Sequence, residues 1–244
     1  MDQQVTSNST HERSGGAISS PQGLDFHPKY FDLLQETHAR TAQGVPSPSL
    51  CTHLVFLSNE TDAAADRAAT ENLLKQEGFI AEQMERTHAR IKTPYGLLHW
   101  NRHTEFSSFT LFDHNVTDDD GGPMPDERLR DIIPGKIDLR FAGRLLLAIR
   151  VHVEEEKSPL WWKDWDSRDN HEPSGCLSLV NGGKSLVWYN FMPLADEFLH
   201  IYVRDRSGYD RVRGRVVQRL LDIETYRILA LLALPEVKRI GPMI

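Results

Sequence analysis

Leu97-Leu98-His99-Trp100-Asn101-Arg102-His103-Thr104-Glu105-Phe106-Ser107-Ser108-Phe109-Thr110-Leu111-Phe112 is the stretch on which the fold turns. Its aromatic and branched residues predict one long strand, from about Leu97 to Phe112. At period two, Leu98, Trp100, Arg102, Thr104 and Phe106 share one face, and His99, Asn101, His103 and Glu105 share the other. The Trp/Phe side suits a core, so the His/Asn/His/Glu side meets water or a polar cleft. Beyond Ser107-Ser108 the apolar phase flips to Phe109 and Leu111, which predicts a β-bulge.

Working outward, Pro94-Tyr95-Gly96 reads as a hairpin turn that joins the long strand to another near 86–93. Upstream, Cys51 to Ser58 is a buried strand. A helix at about 61–77, capped by Asn59 or Thr61 and stopped by Gly78, lies between them. Downstream, a short helix near 125–133 precedes a strand from Leu145 to Val153. Strand, helix, strand, strand, helix, strand is the order of a split βαβ, or ferredoxin-like, unit. Three strands follow, at about 175–180, 184–192 and 197–204, with Asn181-Gly182-Gly183 turning the first pair. A long helix from Tyr209 to Leu234, ended by Pro235, closes the chain. The expected class is α+β, with ferredoxin-like sheet units in two halves sharing a sheet, and the long C-terminal helix packed on it.

The organisation reads as a disordered tail over 1–23 and a single domain over 24–244. Its halves span about 24–157 and 174–244, with a Trp-rich linker at 158–173. The 244 residues carry 28 Lys plus Arg against 35 Asp plus Glu, a net charge of −7. That balance argues against a nucleic-acid partner or an anionic membrane surface. There is no transmembrane window and no signal peptide, so a cytoplasmic location is expected. The two cysteines, Cys51 and Cys176, open apolar runs without CxxC spacing and read as reduced core residues.

Several side chains are candidates for chemistry. A first helix, from Pro28 to about Ala42, puts His38 on the same face as Phe31 and Leu34, with Arg40 toward the other side. On the last helix, Val212, Val216, Leu220 and Ile223 form one apolar arc, and Val217, Leu221 and Ile228 form the next. Arg213, Glu224 and Arg227 interrupt these arcs. Glu224 is therefore expected to be buried and bonded to an arginine, as part of a site or as a structural ion pair. Trp161 and Trp162 would wall a pocket or pack the linker. No phosphate loop, GxGxxG, GxSxG elbow or CxxC pair occurs, so no organic cofactor and no metal are expected. A metal site built from His103, Glu105 and His38 is the weakest of three readings.

At these residues the chain resembles a known family. The matching stretches are His27-Pro28, Glu36-Thr37-His38-Ala39-Arg40, Trp100 to Phe106, Gln218 to Arg227, and Ala230 to Pro235. Together they are similar to the uncharacterised proteins of domain-of-unknown-function family 3422, which are described as membrane-anchored. The resemblance covers about residues 26–244. Members carry Pro after His-Ala-Arg, where this chain has Thr41, and they continue into a helical segment and membrane anchors. A version without the anchor is expected here. The resemblance supplies no activity.

The residues themselves suggest a small-molecule enzyme that transfers protons without an organic cofactor. It would be a lyase, isomerase or cyclase, in a biosynthetic pathway. His38, His103 and Glu105 would be the acid–base groups. Arg40, Arg102, Glu224, Arg227, Trp161 and Trp162 would bind substrate. The alternative is a non-catalytic binding or scaffold module. Assembly into a homo-oligomer stays open.

Overall fold

The computed structural model describes residues 43–57, 79–114, 144–156 and 175–240, apart from 86, 95, 104 and 233, together with 67–68, 70–72 and 75. The expected first helix, the short helix near 125–133, the Trp-rich linker and the 1–23 tail lie outside them. Of the expected helix at 61–77, residues 67–68, 70–72 and 75 are helical.

Among the described residues, nine strands form one mixed sheet: β1 Ser49–Leu57, β2 Ile80–Met84, β3 His88–Thr93, β4 Gly96–Arg102, β5 Phe106–Asp113, β6 Arg144–Glu155, β7 Cys176–Val180, β8 Ser185–Pro193 and β9 Leu199–Asp205. Their spatial order is β2-β3-β4-β5-β1-β6-β9-β8-β7. Every neighbouring pair is antiparallel except β6 and β9, which run parallel. The class is α+β, as expected. The split βαβ arrangement does not account for a sheet so rich in strands.

The expected strand from Leu97 to Phe112 is two strands. It folds back at 103–105 into a hairpin, with Arg102 opposite Ser107 and the His103 amide donating to the Phe106 carbonyl at 2.8 Å. The change of phase at Ser107-Ser108 is therefore the return strand of a hairpin and not a bulge. Each arm still alternates. Leu98 and Trp100 on β4 lie beside Leu111 and Phe109 on β5, on one face. The expected single face of His99, Asn101, His103 and Glu105 breaks up. His99 and Asn101 stay on β4, while His103 and Glu105 belong to the turn.

β1 is buried along nearly its whole length, as a central strand covered on both faces should be. Cys51 and Val55 face one core with Ile149, Val151, Ile201 and Val203. Leu54 and Phe56 face the other with Ile91, Leu98, Trp100 and Phe109. Cys51 is buried as expected, and burial pushes its thiol up, with Asp113 adding to the effect. Cys176 departs from expectation. It sits on edge strand β7 and is exposed.

Two helices close the chain: α1 Asp210–Leu232 and α2 Leu234–Ile240. Pro235 lies in the first turn of α2, where its missing N–H costs nothing, so it starts a helix and does not merely end one. α1 docks on the Cys51/Val55 face through Arg213, Gly214, Val217, Leu221, Glu224 and Thr225. The buried stripe is narrower than the two arcs read from sequence. Ile223, expected inside, is 61% exposed.

The first turn of α1 is clamped by residues 43–45. Val45 donates its amide to the Asp210 carbonyl at 3.0 Å, and Arg213 Nε donates to the Val45 carbonyl at 2.9 Å. A Cβ on Gly214 would lie 1.6 Å from the Gln43 carbonyl oxygen, so only glycine admits this crossing. Asp205 is buried beneath the clamp, accepting from Ser185 Oγ, Ser207 Oγ and the Ser207 amide.

Candidate functional site

Two polar clusters lie on opposite faces of the sheet. The first lies under α1. Glu224 is 5% exposed and accepts from Tyr189 Oη at 2.8 Å and from Arg227 Nη2 at 2.6 Å. The expectation that it is buried and arginine-bound holds. Its bond to Glu224 raises the basicity of Arg227 further. The Tyr189 hydroxyl is pushed well above the usual range, first by burial and then by the carboxylate it serves. One residue along the helix, Thr225 Oγ1 lies 3.2 Å from His53 Nε2, and Thr110 Oγ1 lies 2.8 Å from His53 Nδ1. Burial, with a smaller contribution from nearby His103, pushes His53 down to about 3, so it stays neutral.

His103 is half-buried and stacks on Phe106, with ring centroids 4.1 Å apart; Phe106 meets Tyr226 of α1 edge-on. Glu105, two residues on, is exposed. Arg102 takes the other face. It is buried on the Trp100 side, with Nη1 3.5 Å from the Phe106 carbonyl. Of the residues singled out from sequence, His103, Glu224 and Arg227 therefore border the α1 side, and Arg102 lies across the sheet from them. His38, Arg40, Trp161 and Trp162 lie outside the described residues.

The second cluster was not legible in the sequence. On the face away from α1, β6 and β9 bring Arg150 beside His200 and His152 beside Tyr202. The turn after β8 adds Asp196. Both Asp196 oxygens lie within 3.0–3.1 Å of His200 Nε2, and His200 Nδ1 lies 2.9 Å from His152 Nε2. One proton arrangement satisfies every atom of this chain. His200 Nε2–H donates to the carboxylate, and its Nδ1 lone pair accepts Nε2–H of His152. The lone pair of His152 is then carried on Nδ1.

Asp196 is also bound by Arg150 Nη1 at 2.6 Å and by the Phe198 amide at 3.2 Å. Burial would raise its pKa, but His200, the Phe198 amide and Arg150 outweigh burial and hold it below the usual carboxylate range. Arg150 is 1% exposed, and its guanidinium lies 4.2 Å from the centre of the Phe198 ring. The half-buried His152 ring stacks on Tyr202 at 4.4 Å, and Trp188 meets Tyr202 at 5.6 Å.

A carboxylate that orients one imidazole, which orients a second, can move a proton without moving a heavy atom. The sequence held one faint signal for it, the four-residue spacing of Asp196 and His200. Among the described residues no three His, Cys, Asp or Glu side chains are grouped to hold a metal ion. No described helix is long and apolar enough to cross a membrane.

No curated protein and no solved structure matches the chain. A family model does: it carries the description "Protein of unknown function (DUF3422)" and matches residues 25–244. The chain belongs to that family.

Proposed function

We propose that the protein is a cofactor-independent enzyme that moves protons on a small molecule, in the manner of a lyase, isomerase or cyclase. The observation that carries this is the Asp196–His200–His152 chain. In this reading His152 Nδ1 takes a proton from a carbon next to a carbonyl, and the electron pair moves onto the carbonyl oxygen. The proton returns at another carbon in an isomerase or cyclase, or a leaving group departs in a lyase. His200 and Asp196 fix the tautomer and balance the charge on the protonated chain. Tyr202 and Trp188 offer an aromatic wall for the substrate. The substrate is diffusible, and the setting we propose is cytoplasmic and biosynthetic.

The residues singled out from sequence supply a competing place for the same chemistry. There, His103 and Glu105 at the β4–β5 turn work with His38, and Arg40, Arg227, Trp161 and Trp162 hold substrate, Arg102 being across the sheet. A non-catalytic scaffold is the second reading. It is favoured by the way Tyr189 and Arg227 close around Glu224, which resembles a structural network more than a site.

Solvent deuterium exchange separates these readings. The full chain is incubated in D2O with a panel of small keto acids, and loss of each C–H proton signal is followed by NMR. At least one member should exchange in the native protein, and His152→Ala should slow that exchange by roughly 10²-fold or more, with His103→Ala close to native. The reverse pattern moves the site to the hairpin. Exchange that is absent across the panel, or indifferent to both variants, leaves the scaffold reading.

A further inference from the structure

The outer arc of α1 has a use of its own. Val212, Val216, Leu220 and Ile223 do not all fit under the helix. With Val180, at the end of β7, they line a groove of about 450 Å3 between α1 and the β7–β8 turn. That volume lies within the range of small-molecule sites, roughly 300–1,000 Å3. Among the described residues its apolar wall is aliphatic, without an aromatic ring. From Val212 to Ile223 it follows the helix for roughly 16 Å, a long narrow shape that suits an alkyl chain better than a ring.

Arg215 and Arg219 line the same groove, one helical turn apart. Both are exposed, and among the described residues neither has a carboxylate partner. Like charges four residues apart on a helix repel, and an anion between them would remove that repulsion. Arg90 shares Glu82 with Lys92, whereas exposed Arg144 and Arg211 also lack a carboxylate partner among the described residues; what sets Arg215 and Arg219 apart is that they line the apolar groove.

We infer that this groove binds a small amphiphile: an unbranched aliphatic chain lying along Val212, Val216, Leu220 and Ile223, with a carboxylate held between Arg215 and Arg219. The site is on the α1 face, across the sheet from His152, and stands or falls independently of the proton-transfer reading.

The test is calorimetric titration of the full chain with dodecanoate below its micelle concentration. Dodecanol, inorganic phosphate and anionic phosphatidylglycerol vesicles are titrated in parallel. Dodecanoate should bind at one saturable site, with dodecanol at least tenfold weaker and phosphate silent. The double variant Arg215→Glu/Arg219→Glu should weaken dodecanoate at least tenfold, and so should Ile223→Asp, which places a charge in the path of the chain. All three substitutions are at exposed positions, so an unchanged melting curve checks the fold. Dodecanol matching dodecanoate, phosphate matching dodecanoate, or affinity that survives the charge reversal would each overturn the proposal. Binding confined to the vesicles would do the same, since it would mark a membrane-facing basic surface instead.

Discussion

At residue 53 the fold selects the neutral form of an imidazole. His53 lies between Thr110 and Thr225, and its pKa falls from about 6.5 to about 3. Between those values the unfolded chain carries a proton that the folded chain refuses, so stability rises with pH across the window. The sign follows directly: the contribution is intact above about pH 6.5 and drains away as pH falls toward 3. The limiting slope for one proton is about 1.4 kcal/mol per pH unit. His53→Gln keeps hydrogen-bonding capacity but cannot titrate. Urea unfolding at pH 7.5, 6 and 5 should give a shallower loss of stability for the variant than for the native chain. Parallel pH profiles would show that some other group drives the acid sensitivity.

Among elements, α1 is the one whose docking rests on a missing side chain. Replacing glycine by alanine inside an exposed helix normally stabilises it by about 1 kcal/mol. At Gly214 the sign should reverse, because the new methyl would meet the Gln43 carbonyl. Gly214→Ala should cost roughly 2–3 kcal/mol, as overpacking does, and a thermal melt would read it. A gain in melting temperature would mean that residues 43–45 do not cross the helix there. This contact could not be read from the sequence, since nothing local marks a glycine that another segment crosses. The β4–β5 hairpin was hidden for a related reason. Its connection, 103–105, holds no Gly, Asn or Pro to announce a turn, and only the change of apolar phase betrayed it. By contrast, the Asn181-Gly182-Gly183 turn was legible because its chemistry matches its backbone. All three residues adopt positive φ. Glu224 was legible because a carboxylate between two apolar arcs must find a partner. The histidine chain was not. His152 and His200 meet only because β6 and β9 lie side by side, and no local pattern specifies which strands become neighbours.

For the whole molecule, the sheet should be uneven in strength. β1, β5, β6 and β9 form its middle and carry most of the two cores. β2 and β7 are the outermost strands, and their residues are largely exposed. Amide hydrogen exchange should therefore be fastest in β2 and β7 and slowest in β1 and β6. Comparable protection of β7 and β1 would show that something further covers that edge. Burial on both faces is what makes β1 easy to place from sequence, whereas β5, also in the middle, reads as one strand with β4. Strands buried on both faces read as apolar runs, whereas β2, Ile-Ala-Glu-Gln-Met, has no such signal and was missed.

The lone parallel pairing has a further meaning in time. β1 to β6 and β7 to β9 are each joined internally by antiparallel ladders. The two groups meet only where β6 lies beside β9, with Ile149 opposite Leu199. Neighbouring strands such as β8 and β9 have only a short loop to close, and the junction must close a loop of some fifty residues. The ladder of β1 with β6 closes a longer loop still, from Leu57 to Arg144, so the β7–β9 group can collect its strands early while the first group and the junction both wait on long-range closure. Asp196 and His200 already share the β8–β9 group, and His152 joins them only where β6 meets β9, so the histidine chain is completed by the junction and by neither group alone.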